Sequence, residues 1–436
     1  MSFRSVFHSI AIASCLFSLI GCGADNAGSS TSGAKPNAKS LPTLKEDEGA
    51  IAELTKARFQ FKKNSDGITE EASLASETDV SQVLPQLAGV PNLKRLRFTG
   101  PGISDAGMEN LTLLTRLERL DFSDSSVGDE TLRTVAKLEG LQALFIRRTR
   151  ATDSGLSALT SLKKLRAIDV RNSKIGDDGL DHLASIKTLV DIQLEKSDVT
   201  DAGLEKLKGL KLKSINVNYC TTISDVGLRA LGEIPTLEAI QMDATKISDA
   251  GMAAVAKMSK LKRLRIRDTD ITGEGFAHIA GLKKLTRLEL RLTSIDDAGM
   301  KTIGQLPGVE YLDVSECRLV SNEGLAAIKD LKNLTYLGLW ETKLEDEAFK
   351  QFGGLTAVKE LNLDSTGITD ESVETLLKMQ SLERLNLRGC QLTDDGFRQL
   401  NKLPNLKWLN VANTNIGYDV MEELAESREG LEVVDF

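Results

Sequence analysis

The chain has 436 residues, 41% hydrophobic and only 4% aromatic, with a formal net charge of −8, which argues against generic nucleic-acid binding. It has no Walker loop, no GxGxxG after a strand and no zinc-ligand spacing, so no cofactor and no metal are expected.

Residues 1–21 carry Arg4, run through an apolar stretch from Ile10 to Ile20 and end as Leu19-Ile20-Gly21 before Cys22. This segment resembles a bacterial lipoprotein signal peptide. The resemblance implies cleavage before Cys22, a lipid (palmitate) on that residue, and a membrane anchor in the cell envelope. A cleaved secretory leader, or an uncleaved helix with an incidental cysteine, is the other reading, although the apolar run is short for a membrane span. Gly23 rather than Asp follows Cys22, which in the best-known sorting systems favours the outer membrane, depending on the host. Loss of the leader with Arg4 takes the charge to −9. Residues 22–49 are rich in Gly, Ala, Ser, Asn and Lys without periodicity, and read as a flexible tether reaching roughly 30 Å.

Residues 50–92 read as a degenerate N-terminal capping repeat. Leu54, Ala57 and Phe59 match strand positions, and Leu84, Leu87 and Val90 match helix positions. The 39 residues from Leu54 to Leu93 exceed one repeat, which places an insertion around Lys62 to Thr78.

Residues 93–436 repeat. With the first Leu or Val of each copy as position 1, copies begin at Leu93, Leu117, Leu141, Leu165, Leu189, Leu212, Leu237, Leu261, Leu285, Val309, Leu334, Val358, Leu382, Leu406 and Leu431. Fourteen intervals cover 338 residues, and only four deviate from 24, each by one residue. Each copy reads LxxLxL, then Ser, Thr or Cys, then I(T/S)DxGL, then LxxL. In one copy Leu165, Ile168 and Val170 have strand spacing, and Leu180, Leu183 and Ile186 have helix spacing. Between them, pairs such as Thr200-Asp201, Ser224-Asp225 and Ser248-Asp249 offer side-chain oxygens to a helix start. One such unit cannot bury its own apolar stripe, but a stack of them can. The expected fold is α/β: a curved horseshoe solenoid with a parallel β-sheet on the concave face and helices on the convex face.

These residues resemble the leucine-rich repeat superfamily over about four-fifths of the chain. Ile103-Ser104-Asp105-Ala106-Gly107-Met108 and Val199-Thr200-Asp201-Ala202-Gly203-Leu204 look most like the cysteine-containing subclass found in F-box proteins. The chain departs from that subclass at position 9, which is Cys only in Cys220, Cys317 and Cys390, and it has no recognisable F-box. A ubiquitin-ligase role is therefore not implied.

Cys15 leaves with the leader. The three array cysteines share one repeat position several copies apart, too far for internal disulfides, and read as small residues in an internal ladder. His182 and His278 read as solvated helix residues. The recurring Asp105, Asp153, Asp201 and Asp249 read as helix caps, with a calcium ladder as the alternative. No nucleophile and base constellation appears, so no enzyme is expected.

Positions 3, 5 and 7 of each strand point to the concave face. They hold Arg263, Arg265 and Arg267, then Arg287, Glu289 and Arg291, then Tyr311, Asp313 and Ser315, then Tyr336, Gly338 and Trp340, and farther on Arg384, Asn386, Arg388 and Trp408. Of four Tyr and two Trp, four fall at these three positions, where random placement puts fewer than one. Arg, Tyr and Trp dominate binding hot spots. The competing reading is that the arginines pair with Glu289 and other acids while the aromatics pack across strands. The expected function is a non-enzymatic, lipid-anchored module that binds a protein partner, one with an acidic surface if the arginines set the preference. A glycan-binding lipoprotein and a self-assembling scaffold are the alternatives. Val434 and Phe436 fall at core positions of the last strand, an edge read as open to self-association through 431–436 or else frayed, with the helix carrying Met421 and Leu424 closing the core.

Overall fold

The computed structural model describes residues 42–435. The proposed lipid site, Cys22, and Phe436 lie outside the described residues. From Leu44 onward the chain forms one compact unit.

A helix α1 (Glu48–Lys56) opens the unit, followed by strands β1 (Gln60–Lys63), β2 (Thr69–Ala75) and β3 (Arg95–Thr99). The array continues with β4 (Arg119–Asp121), β5 (Ala143–Phe145), β6 (Ala167–Asp169), β7 (Asp191–Gln193), β8 (Ser214–Asn216) and β9 (Ala239–Gln241). Then come β10 (Arg263–Arg265), β11 (Arg287–Glu289), β12 (Tyr311–Asp313), β13 (Tyr336–Gly338), β14 (Glu360–Asn362), β15 (Arg384–Asn386), β16 (Trp408–Asn410) and β17 (Glu432–Val434). β1 runs antiparallel to β2; every later pair is parallel and in repeat register, as in Leu264↔Leu288 and Leu288↔Leu312. Strands stack about 4.8 Å apart and helices about 8–10 Å apart, so the array curves with the sheet inside. The convex helices are short, from four residues (Asp346–Phe349) to nine (Tyr418–Glu426), and 3-10 turns such as Met108–Leu113 replace them in some copies.

Positions 1, 4 and 6 supply one continuous core of residues such as Leu165, Ile168 and Val170, all at most 1% exposed. Position 8 then turns the chain out of the sheet in the left-handed region, with φ of 53° at Asn172, 60° at Tyr219 and 58° at Leu292. Its N–H still bonds the next coil, as Lys196 N to Asn218 O at 2.9 Å, and this hydrogen bond offsets part of the cost of the unfavourable φ. At position 9 the hydroxyls of Thr149, Ser197, Thr245, Thr293 and Thr342 donate to the position-6 carbonyl of their own coil at 2.6–2.8 Å. Cys220, Cys317 and Cys390 stand in this column, buried and free, and reach back to the preceding coil's Leu194, Leu290 and Leu363 carbonyls at 3.3, 3.2 and 3.1 Å.

The recurring Asp acts differently from the cap expected. Thr200, Ser224, Thr272 and Ser321 cap the helices, accepting from the amide two residues on. Each Asp instead clips its coil to the next. Asp129, Asp177, Asp201, Asp225, Asp249, Asp297, Asp346 and Asp370 accept from the N–H of the following coil's Thr or Ser at 2.7–2.9 Å and from its hydroxyl at 2.5–2.8 Å. The Gly of DxGL makes room for that carboxylate: a Cβ on Gly203 would sit 2.3 Å from Asp177 Oδ1, and one on Gly227 would sit 2.5 Å from Asp201 Oδ1. Where a side chain replaces the Gly, Thr131 and Ser372 donate their hydroxyls to the same Asp, Asp105 and Asp346. One copy exchanges the whole set: Asn322 replaces the Asp, its amide donates to Glu345 at 2.9 Å, and Ala348 replaces the Gly. With these oxygens held by protein donors, the carboxylates have no need of a calcium ladder.

The N-terminal end departs from the expected strand. Leu54 is fully buried but lies on α1, not on a strand, and Phe59 precedes β1, packing edge-on against Phe98 with centroids 5.9 Å apart. The repeat register continues through β2, with buried Thr69 one repeat before Leu93; its N–H and hydroxyl bond Glu46 at 2.8 and 3.0 Å. The expected insertion is thus the β1–β2 hairpin, and its polar, alternating residues hid a strand pair. The expected tether boundary at residue 49 also shifts: Leu44 exchanges hydrogen bonds with Asn92, and Asp47 caps α1. At the other end β17 pairs with β16 throughout its length, and Val420 and Leu424 of the last helix are buried.

Candidate functional site on the concave sheet

Position 3 forms a lane across the sheet, with Arg263, Arg287, Tyr311, Tyr336, Glu360, Arg384 and Trp408 as successive register partners. Parallel pairing brings each side chain about one strand spacing from the next, so planar groups stack. The Tyr311 and Tyr336 rings lie 4.0 Å apart and 4° from parallel. The Arg287 guanidinium lies 3.5 Å over Tyr311, and that of Arg384 lies 4.3 Å over Trp408. Burial pushes the Tyr311 phenol up to about 12 and raises Tyr336 further, so both keep their protons at neutral pH.

Position 5 holds Arg265, Glu289, Asp313, Gly338, Asn362, Asn386 and Asn410. Gly338 is required by close approach, since a Cβ there would meet Asp313 Oδ1 at 2.6 Å. The three asparagines accept the amide N–H two residues on at 2.9–3.1 Å, closing the strand end. At position 7, Arg291 lies 4.5 Å over Trp340 and 2.5 Å from Glu316, and Arg388 lies 3.4 Å from Asp364. Trp340 Nε1 is buried with no partner among the described residues.

All the residues read from the sequence as partner-binding stand on this face, and the alternative reading, arginines paired with acids and aromatics packed across strands, holds for part of them. Arg265 and Arg267 converge on Asp243 at 2.6 and 2.7 Å, and Arg287 pairs with Glu289 at 2.7 Å. The Asp243 side chain is 2% exposed, and burial pushes its carboxyl up to about 6, still low enough to stay ionised between the guanidiniums at neutral pH. Much of the arginine charge is therefore spent inside the sheet. Arg263 and Arg384 make no ion pair among the described residues.

Sequence reasoning missed Asp243, Glu316 and Glu360, although each lies at position 3, 7 or 8 and becomes visible when those positions are read as columns across copies. It also missed a second apolar group on the concave face, Ala143, Phe145 and Ala167, with Arg119 4.0 Å over the Phe145 ring.

No group of His, Cys, Asp or Glu among the described residues could hold a metal ion, and no helix there is long and apolar enough to cross a membrane. No curated protein matches the sequence. Among solved structures the fold is similar to an internalin of Listeria monocytogenes, 20% identical, with 85% of this chain and 95% of that chain covered and a TM-score of 0.50. It is also similar to a leucine-rich repeat protein of Leptospira interrogans, 18% identical, with 83% and 100% covered and a TM-score of 0.56. A family described as "Leucine-rich repeat region" matches residues 73–318, more than half the chain, and "Leucine Rich repeat" matches 355–377 and 378–398. The chain belongs to the leucine-rich repeat family.

Proposed function

We propose that this protein is a non-enzymatic recognition module, lipid-anchored through Cys22 in the bacterial envelope at the outer membrane, that binds a protein partner on the concave face of β10–β16. The observation that carries this reading is the pair of stacks, Arg287–Tyr311–Tyr336 and Arg384–Trp408, preorganised on rigid strands. Repeat arrays use their concave surfaces for binding, and rigid Arg, Tyr and Trp side chains lose little entropy when a partner arrives. A preference for an acidic partner rests on Arg263 and Arg384 rather than on the whole arginine cluster.

Cross-linking in cells followed by partner identification tests the reading. Wild type should capture a partner that the Arg384→Ala/Trp408→Ala variant, folded by circular dichroism, captures at least about tenfold less, in line with hot-spot truncation costs of ~2 kcal/mol. Equal capture by both refutes it. Anchoring is tested separately: Cys22→Ser should block acylation and membrane partitioning, and an unchanged distribution refutes the anchor.

A glycan is the second reading, favoured by the asparagine lane. Among the described residues the Asn362, Asn386 and Asn410 amide groups are engaged on the oxygen side alone, so their NH2 groups suit hydroxyls.

A further inference from the structure

The position-3 lane is a ladder of planar rungs with one rung missing. Arg287, Tyr311 and Tyr336 stack on β11, β12 and β13, and Arg384 and Trp408 stack on β15 and β16. Between them β14 contributes Glu360, which is exposed and is the register partner of both Tyr336 and Arg384. Glu360 makes no ion pair among the described residues, and the guanidinium of its register partner Arg384 lies on Trp408. One face of Tyr336 is covered by Tyr311, so its other face turns toward β14. One face of the Arg384 guanidinium is covered by Trp408, so its other face also turns toward β14. Two strand spacings, about 9.6 Å, separate β13 from β15, while the formed rungs stand 3.5, 4.0 and 4.3 Å apart. One planar group fits between.

We propose that this gap over β14 receives a single aromatic side chain bearing a hydrogen-bond donor, a tryptophan or tyrosine of an extended partner peptide. The proposal rests on the reading that the concave face binds protein. An aromatic ring stacks on Tyr336 and takes the Arg384 cation on its other face, while its N–H or O–H donates to the Glu360 carboxylate. Each wall of the gap is then matched. A guanidinium would suit Tyr336 and Glu360 but would face the charge of Arg384. An aliphatic side chain would match Tyr336 alone and leave both charges desolvated. The free NH2 groups of Asn362 and Asn386, next along the same strands, are placed to meet carbonyls of the peptide backbone.

The test pans a random linear peptide library against the full chain. Selected peptides should share one aligned Trp or Tyr, and replacing it by Leu should weaken binding roughly tenfold. Glu360→Tyr, at an exposed site, supplies the missing rung from within and should block the same peptides, and Glu360→Gln should weaken them. Circular dichroism checks that both variants fold. Peptides that ignore Glu360→Tyr but respond to Arg263→Glu or Trp340→Ala overturn the gap and leave concave-face binding standing. Peptides insensitive to all of these substitutions, or no selected peptides, overturn both. A glycan array ligand that requires Tyr336 and Glu360 overturns the peptide assignment in favour of a sugar.

Discussion

Gly203→Ala tests whether the DxGL glycine exists to admit the carboxylate of the coil before it. The added Cβ would lie 2.3 Å from Asp177 Oδ1 and 2.9 Å from Leu180 Cδ1, so Asp177 must withdraw by about an ångström to reach ordinary contact. That withdrawal loosens its bonds to Thr200 N at 2.8 Å and Thr200 Oγ1 at 2.6 Å. Losing one charge-assisted bond costs about 1.5–3 kcal/mol and overpacking about 1–3, against about 1 gained from replacing a helical Gly. The expected net loss is about 1.5–5 kcal/mol. Gly203→Ser should cost less, because its hydroxyl can donate to Asp177 as Ser372 does to Asp346. Gly281→Ala, with nothing within 4 Å of the new Cβ, is the control and should be neutral or slightly stabilising. Urea denaturation, with amide hydrogen exchange to localise the effect in the array, measures all three. A harmless Gly203→Ala, or a Gly203→Ser as costly as Gly203→Ala, refutes the reasoning.

Burial pushes the Cys317 and Cys390 thiols up to about 11, so the array cysteines should resist thiol reagents in the native protein and label on unfolding; fast native labelling contradicts their ladder role. Cys317→Thr, the residue other copies use there, should change stability by no more than about 1 kcal/mol in the same denaturation assay. Burial works to raise Asp346, but hydrogen bonds from Ser372 and Thr369 win and hold it below its ordinary value of 3.8. The native state thus binds this proton less readily than the unfolded chain: the stabilisation is present above pH 3.8 and is lost as pH falls through the lowered value. Asp346→Asn should flatten that part of the acid limb, and an unchanged limb excludes the clip as its source.

The period of the apolar residues made the solenoid legible, because Ile168 and Val170 alternate onto one side of an extended segment, Leu165 leads into it on the same core, and nothing but a stack can bury them. The direction of each Asp was less legible. A Thr-Asp pair before a helix has the chemistry of a local cap, and nothing local in the sequence says that the carboxylate reaches forward 23 residues to Thr200 from Asp177. The compensating exchanges at Thr131, Ser372 and the Asn322–Glu345–Ala348 set carry that information, visible when consecutive copies are aligned. The N-terminal hairpin was hidden for a different reason: Thr69 replaces a core leucine and is satisfied by Glu46, a partner outside the repeat. On the concave face the sequence placed the arginines correctly but could not say which were paired, since Asp243 serves Arg265 and Arg267 from a neighbouring strand.

That pairing separates arginines tied to carboxylates within the sheet from charged groups that have no ion partner there. Arg265 and Arg267 share the buried Asp243, Arg291 holds Glu316 and Arg388 holds Asp364, so removing any of them weakens or strands a partly or wholly buried acid and mixes folding with binding. Arg263, Glu360 and Arg384 make no ion pair among the described residues, although Arg384 stacks on Trp408 and the Arg263 charge acts on the half-buried Asp191. Exposed charges without an ion partner add little to the stability of the fold. Glu360, exposed and without an ion pair among the described residues, is therefore the position whose substitution reads on recognition with the least stability correction.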